Sequence, residues 1–188
     1  EIRQAQGRGV RVSADVTPHH LLLTAESLGD YESCYKVDPP LRTEEHRASL
    51  IEGLKDGTIR VICSDHRPHA EEKTIRELDK APFGISGIET VVPVCSKSLI
   101  EPGHLSWPEL LGKLTQGPAE LLGLQKGTLA VGADADVTLI DPDQRRMIEA
   151  SRFVSKSGNT PFDGLEARGY VVLTIVSGEV KYRLDAGE

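Results

Sequence analysis

Residues 10–16 (Val-Arg-Val-Ser-Ala-Asp-Val) alternate apolar and polar positions, the period-two pattern of a strand. Residues 1–9 before it read as the end of a polar helix stopped by Gly7 and Gly9. Pro18 ends the strand, and His19-His20-Leu-Leu-Leu-Thr begins a short helix or turn. Residues 29–41 form a loop closed by Pro39-Pro40. Thr43 is placed to cap a helix over residues 44–55, with Glu44 and Glu45 favourable in its first turn and Asp56-Gly57 as its stop. Residues 59–64 (Ile-Arg-Val-Ile-Cys-Ser) are mostly apolar, as in a parallel strand buried on both faces. The order strand, loop, helix, strand predicts a βαβ unit.

A polar loop of about twenty residues (65–86) follows, and irregular loops of that length usually carry function. Residues 87–100 read as a helix, Ser106-x-x-Glu109 as a capping box opening another, and Pro118 as the start of a short one to Leu122. From Gly127 the period changes. Residues 127–129, 136–140, 169–176 and 179–183 read as short strands without intervening helices, Ser177-Gly178 forming a hairpin turn. The expected organisation is an α/β part over residues 1–126 and a small antiparallel β part over 127–188. No internal repeat or low-complexity tract interrupts it.

Composition narrows the function classes. The 188 residues carry a net charge of −7 with no Lys/Arg-rich run, which argues against a nucleic-acid partner or a membrane surface. With 38% hydrophobic and 27% charged residues the chain can build a globular core. Its longest apolar stretches, Leu21-Leu22-Leu23 and residues 170–176, are too short to cross a bilayer. Cys34, Cys63 and Cys95 are far apart and odd in number, which suits a reducing, cytoplasmic setting better than a disulfide scaffold or thiolate zinc finger. Glu1 is not an initiator Met and the single Met is Met147, so a processed chain or a missing N-terminal part is expected.

Three local motifs can carry chemistry. Ser64-Asp65-His66-Arg67-Pro68-His69 lies at the C-terminal end of a buried strand, where α/β sheets and barrels build their sites. A carboxylate there can bind a metal or take a proton from metal-bound water while imidazoles hold substrate; Asp65 can equally cap the next turn beside two solvent-facing histidines. Thr17-Pro18-His19-His20 ends the other strand. Adjacent histidines on a helix point about 100° apart, which argues against one shared metal and for structural roles. In Lys36-Val37-Asp38-Pro39-Pro40-Leu41-Arg42 the paired prolines can aim Asp38 or simply stiffen a surface turn.

Taken in order, these motifs are more specific. Asp15-Val-Thr-Pro-His-His-Leu-Leu-Leu-Thr24, Val37-Asp-Pro-Pro-Leu-Arg42, Ser64-Asp-His-Arg-Pro-His69 and Ala81-Pro-Phe-Gly-Ile-Ser-Gly-Ile-Glu89 together closely resemble the dihydroorotase family, cyclic amidohydrolases of the amidohydrolase superfamily. Gly132-Ala-Asp-Ala-Asp-Val-Thr-Leu-Ile-Asp-Pro142 resembles that superfamily's small β-domain, and Ser155-Lys-Ser-Gly-Asn-Thr-Pro-Phe162 the dihydroorotase C-terminus. The resemblance implies a distorted (β/α)₈ barrel with a binuclear Zn²⁺ centre and a β-sandwich assembled from both chain ends. Residues 10–16 and 59–64 would be its seventh and eighth strands. A whole barrel takes about 250 residues, so the chain would be the C-terminal portion, lacking the His-x-His, carboxylated Lys (or Asp) and later His ligands.

Carried over by position, Asp65 matches the aspartate that binds one zinc and shuttles a proton from the bridging hydroxide to the leaving ring nitrogen. His69 matches a substrate-binding histidine, and Phe83-Gly84 a segment whose backbone meets the pyrimidine ring. Asp38 stands where the family usually has a substrate-binding asparagine; an ionised Asp only accepts hydrogen bonds, whereas Asn also donates. The implied substrates are dihydroorotate and N-carbamoyl-L-aspartate in pyrimidine biosynthesis, with a homo-oligomer or an aspartate transcarbamoylase partner expected. Dihydropyrimidinase/hydantoinase and allantoinase share the Pro-Pro-hydrophobic-Arg and Ser/Thr-Asp-His elements and are the enzymatic alternatives. A non-catalytic dihydroorotase-like subunit that scaffolds aspartate transcarbamoylase is the alternative of another class.

Overall fold

The computed structural model describes residues 1–29 and 31–184. The chain begins with α1 (Ile2–Gly7), which buries no side chain and is tied down by polar contacts. Arg3 pairs with Asp56 at 2.5 Å, and the Gln6 amide donates to the carbonyls of Val12 and Thr58. Strand β1 (Asp15–Val16), α2 (Pro18–Leu22), α3 (Glu44–Lys55) and β2 (Val61–Ile62) then form the expected βαβ unit. The two strands run parallel, Asp15 beside Val61 and Val16 beside Ile62, and the ladder extends through Arg60 N–H to Ala14 O and Cys63 N–H to Val16 O.

Only two residues of each predicted strand take ladder geometry. Residues 10–14 have no strand beside them, so their donors turn to local contacts, and Val10 stays half exposed. The sheet therefore stops at two parallel strands among the described residues and does not close into a barrel.

Helix α3 crosses over the pair and buries Ile51 and Leu54 against Val16, Ile59 and Ile62, with Leu99 and Leu110 completing the cluster. Gly53 lets it approach closely, since a Cβ there would sit 3.0 Å from Ile59 Cδ1. Thr43 occupies the predicted cap position, but its Oγ1 meets His46 Nδ1 at 2.7 Å instead of a helix N–H. After α4 (Glu71–Thr74), α5 (Val91–Cys95) continues into a π-helical turn, Ser96–Ile100. Helix α6 (Trp107–Leu114) opens on the predicted capping box, the Glu109 carboxylate accepting from both Ser106 N–H and Oγ–H. Helix α7 (Gln116–Leu122) ends at left-handed Gly123.

The β part is one antiparallel sheet, β3 (Val137–Met147), β4 (Glu166–Val176) and β5 (Glu179–Arg183), in that order. Ser177 and Gly178, both at positive φ, make its tight turn. The strand predicted at residues 127–129 does not form. Leu129 is 80% exposed and pairs with nothing in the sheet, while Gly127 packs on the Thr115 backbone. The described residues supply one sheet of the expected sandwich.

Between β3 and β4 the chain folds back onto the α/β part. Ile148 and Phe162 join Val37, Leu41, Ile85 and Val94 in a second core. The Glu89 carboxylate accepts from the backbone N–H groups of Val154 and Ser155, both at 3.0 Å. Ser86 N–H donates to Asn159 O at 2.8 Å. This return segment thus packs directly beneath the loop that follows β2.

Phe162 is the largest fully buried side chain. Phe162→Ala is expected to lower stability by about 3–5 kcal/mol, read from denaturant titration; a loss below about 1 kcal/mol would mean that the second core closes without it.

Candidate functional site

A cavity of about 540 Å³ opens at the C-terminal ends of β1 and β2. Asp65 and Asp38 both line it, so the structure brings together two residues 27 positions apart in the chain. Asp65 sits three residues beyond β2 in the left-handed region, φ 44°, a conformation Asp tolerates better than most side chains. Its carboxylate, 23% exposed, accepts from Arg67 Nε at 2.9 Å.

His69, Phe83 and Gly84 gather beside this cavity without lining it. His69 Nε2–H donates to Phe83 O at 3.0 Å. Arg67 N–H donates to Ile85 O, and a parallel bridge joins His66 to Ile85. Gly84 is required here for two reasons: its φ is 115°, and a Cβ would lie 2.5 Å from Arg67 Cβ. The two ends of the loop over residues 65–86 are therefore held together at the site.

The imidazoles are largely committed to structure. His66 Nδ1 accepts from the N–H groups of Gly87 (3.2 Å) and Ile88 (3.4 Å), which assigns its proton to Nε2. His20 Nε2–H donates to Pro39 O at 2.8 Å, so its Nδ1 accepts from Thr17 Oγ1–H at 2.6 Å. That relay pins the backbone beside Asp38. His19 is buried with its Nε2 unpartnered. Desolvation, helped by the nearby His20 and Arg67, lowers its pKa to about 3, so it stays neutral. His20 is thus fully bonded, whereas His19 keeps an unpartnered ring nitrogen.

Two cavity residues were not singled out in the sequence. Cys63 Sγ–H donates to Asp15 Oδ2 at 2.8 Å. Burial first, and then this carboxylate, push the thiol up to about 12, which favours the protonated thiol at neutral pH. The available signal was strand parity: continuing the register by one residue sets Thr17 beside Cys63, on the face that also carries Asp15.

These residues do not by themselves fit a zinc centre. A catalytic zinc takes about three protein ligands, and among the described residues no three His, Cys, Asp or Glu side chains gather to hold a metal. Asp65 faces a guanidinium, the Asp15 carboxylate is taken by the Cys63 thiol, and no chemical step through a metal follows from this chain's geometry.

The sequence model of the amidohydrolase family matches residues 2–181. The chain belongs to the amidohydrolase family. It is 49% identical over 179 residues to the dihydroorotase of Pelotomaculum thermopropionicum and 45% identical over 181 residues to that of Bacillus subtilis, covering 95% and 96% of this chain. It spans about 42% of the length of these curated relatives. Among solved structures it superimposes on the L-hydantoinase (dihydropyrimidinase) of Arthrobacter aurescens with a TM-score of 0.90 at 36% identity, over 97% of this chain and 42% of that one. The D-hydantoinase of a Thermus species gives 0.88 at 28% identity, with the same shares of the two chains. The α/β arrangement is thus that of an amidohydrolase portion. No helix among the described residues is long and apolar enough to cross a membrane.

The buried imidazole makes stability pH-dependent. Unfolded His19 takes up a proton below 6.5, whereas the folded form resists until about 3. The folded-state pKa is depressed, so stability is fully present above 6.5 and falls as pH drops through that window. At about pH 5 the loss should be about 2 kcal/mol. His19→Gln should flatten this slope in urea titrations between about pH 7 and about pH 5; an unchanged slope would assign it to other groups.

Proposed function

We propose that the chain is the C-terminal portion of a zinc-dependent dihydroorotase. The enzyme interconverts (S)-dihydroorotate and N-carbamoyl-L-aspartate by opening or closing the cyclic amide. The observation that carries this reading is the placement of Asp65 beyond a parallel strand, in one cavity with Asp38 and beside the His69–Phe83–Gly84 cluster. Identities of 42–49% to dihydroorotases, against 26–36% to the hydantoinases of similar fold, favour this chemistry over hydantoin hydrolysis.

In the hydrolytic direction water adds to the ring carbonyl carbon and the ring C–N bond breaks. The Asp65 carboxylate takes the proton from the attacking water and delivers it to the departing ring nitrogen; the cyclisation runs the same transfer backwards. His69 and the Phe83–Gly84 backbone would hold the pyrimidine ring only after exchanging present contacts, since His69 Nε2–H is given to Phe83 O and the Gly84 N–H and carbonyl are bound to Lys36 and Asn159. Asp65 would be this chain's one ligand to the binuclear zinc centre, the remaining ligands coming from the rest of the complete protein. The hydantoinases' structural likeness keeps their substrates as the second reading.

Assays of the complete protein on dihydroorotate, hydantoin and allantoin separate the readings, and turnover of dihydroorotate is expected to dominate. Turnover of none would favour a scaffolding subunit. Asp65→Asn, close to isosteric, should reduce turnover in both directions by roughly 10²–10⁴ while leaving the fold intact. A fall below about tenfold would make Asp65 a spectator.

Asp38 faces the cavity from an exposed position that also brings Arg42 to its wall. We expect the guanidinium to offset the extra anion, so Asp38→Asn should leave KM for dihydroorotate within about threefold. An uncompensated polar mismatch is worth about 1–3 kcal/mol, so a tenfold improvement in KM would show that Asp38 opposes the substrate.

A further inference from the structure

Lys36 stands two residues before Asp38, with buried Val37 between them. Its ammonium is saturated by three backbone carbonyls of the loop after β2: Leu78 at 2.6 Å, Asp79 at 3.1 Å and Ala81 at 2.7 Å. The same Nζ lies 4.7 Å from the centre of the Phe83 ring, and the Lys36 carbonyl accepts from Gly84 N–H at 2.8 Å. One residue therefore meets five groups between residues 78 and 84 of a segment that, over residues 75–80, has no helix or strand of its own.

Other contacts grip the loop at other points, His69 Nε2–H on Phe83 O among them. Ser33 Oγ–H donates to Thr74 O farther back in the loop, and Asn159 Nδ2–H donates to Gly84 O at its far end. Between them, the carbonyls of 78, 79 and 81 converge on Lys36. Backbone carbonyls held by a charged donor resist opening, whereas the same carbonyls facing water would let the loop sample many conformations. Lys36 also belongs to neither large apolar cluster, so its ammonium contributes to loop order more than to the core.

We propose that Lys36 is a positioning residue: its ammonium latches the loop over residues 65–86 and so fixes Phe83–Gly84 against the side of the site that carries Asp38. The link to substrate rests on the dihydroorotase reading; the latch itself does not.

Lys36→Met in the complete enzyme keeps the stem and removes all three donors. Lys73, Arg76 and Lys80 lie exposed in the loop as tryptic sites. Cleavage there should accelerate about tenfold or more, because proteolysis follows the population of the opened loop. KM for dihydroorotate should rise about tenfold with kcat within about threefold, the pattern of a lost binding contact. Lys36→Arg, whose planar fork cannot seat on three converging carbonyls, should shift both readouts in the same direction by less, and it stands alone as the test should the Met variant not fold.

Unchanged cleavage in the variants overturns the latch. Faster cleavage with unchanged KM overturns its role in positioning Phe83–Gly84. An unsubstituted enzyme inert towards dihydroorotate would defeat the functional reading alone, and the cleavage rates would still decide the latch.

Discussion

Parallel pairing of Val16 with Ile62 sets the C-terminal ends of two strands side by side, and the site follows from that register. A parallel pair needs a crossover, which α3 provides while burying Ile51 and Leu54 on the strands. Once both strands end at the same level, Thr17, Cys63 and Asp65 open onto one cavity. A one-residue slip of β1 would turn Asp15 and Thr17 away from that cavity and press the Asp15 carboxylate towards α3. The apolar contacts of Val16 and Ile62 therefore decide where the polar chemistry goes.

Around that cavity, most polar groups are already spoken for. Asp15 accepts from the Cys63 thiol, Thr17 and Pro39 fix the tautomer of His20, and the N–H groups of Gly87 and Ile88 occupy His66 Nδ1. His19 is kept neutral by burial. Asp65, which our proposal makes the acid–base group, lines the cavity beside Asp15 and Asp38 and is partly exposed. Its one partner, Arg67, is itself half exposed, so the pair is screened by water and can part without a large penalty. An acid–base group needs that freedom; a buried, fully satisfied carboxylate would not have it.

What the sequence made legible was local. The α3 boundaries, the Ser106–Glu109 box and the Ser177-Gly178 turn depend on neighbours a few residues away, and each appears where the pattern put it. That Asp38 and Asp65 share one cavity was not legible in any single motif and needed the fold to bring positions 27 apart together. The failures concern partners distant in sequence. Alternation over residues 10–14 describes a strand only if another strand lies alongside, and none does among the described residues. Residues 127–129 fail for the same reason. Lys36 carried no periodic or compositional signal at all, since its partners are backbone carbonyls more than 40 residues on.

Those long-range contacts also change how the small β part should be understood. The segment between β3 and β4 contributes Phe162 to the core beneath the site loop, Asn159 to Gly84 O and Ser86 N–H, and a landing place for the Glu89 carboxylate. The loop is consequently gripped from two sides: by Lys36 from the stretch before the paired prolines, and by Asn159 from the return segment. Gly84 is the residue where both grips meet, its N–H bound to one and its carbonyl to the other. The two peptide units flanking Gly84 are each held by a bond, which restrains rotation about its positive φ. The segment joining β3 to β4 is therefore part of the packing around the site loop, not an appendage to the sheet alone.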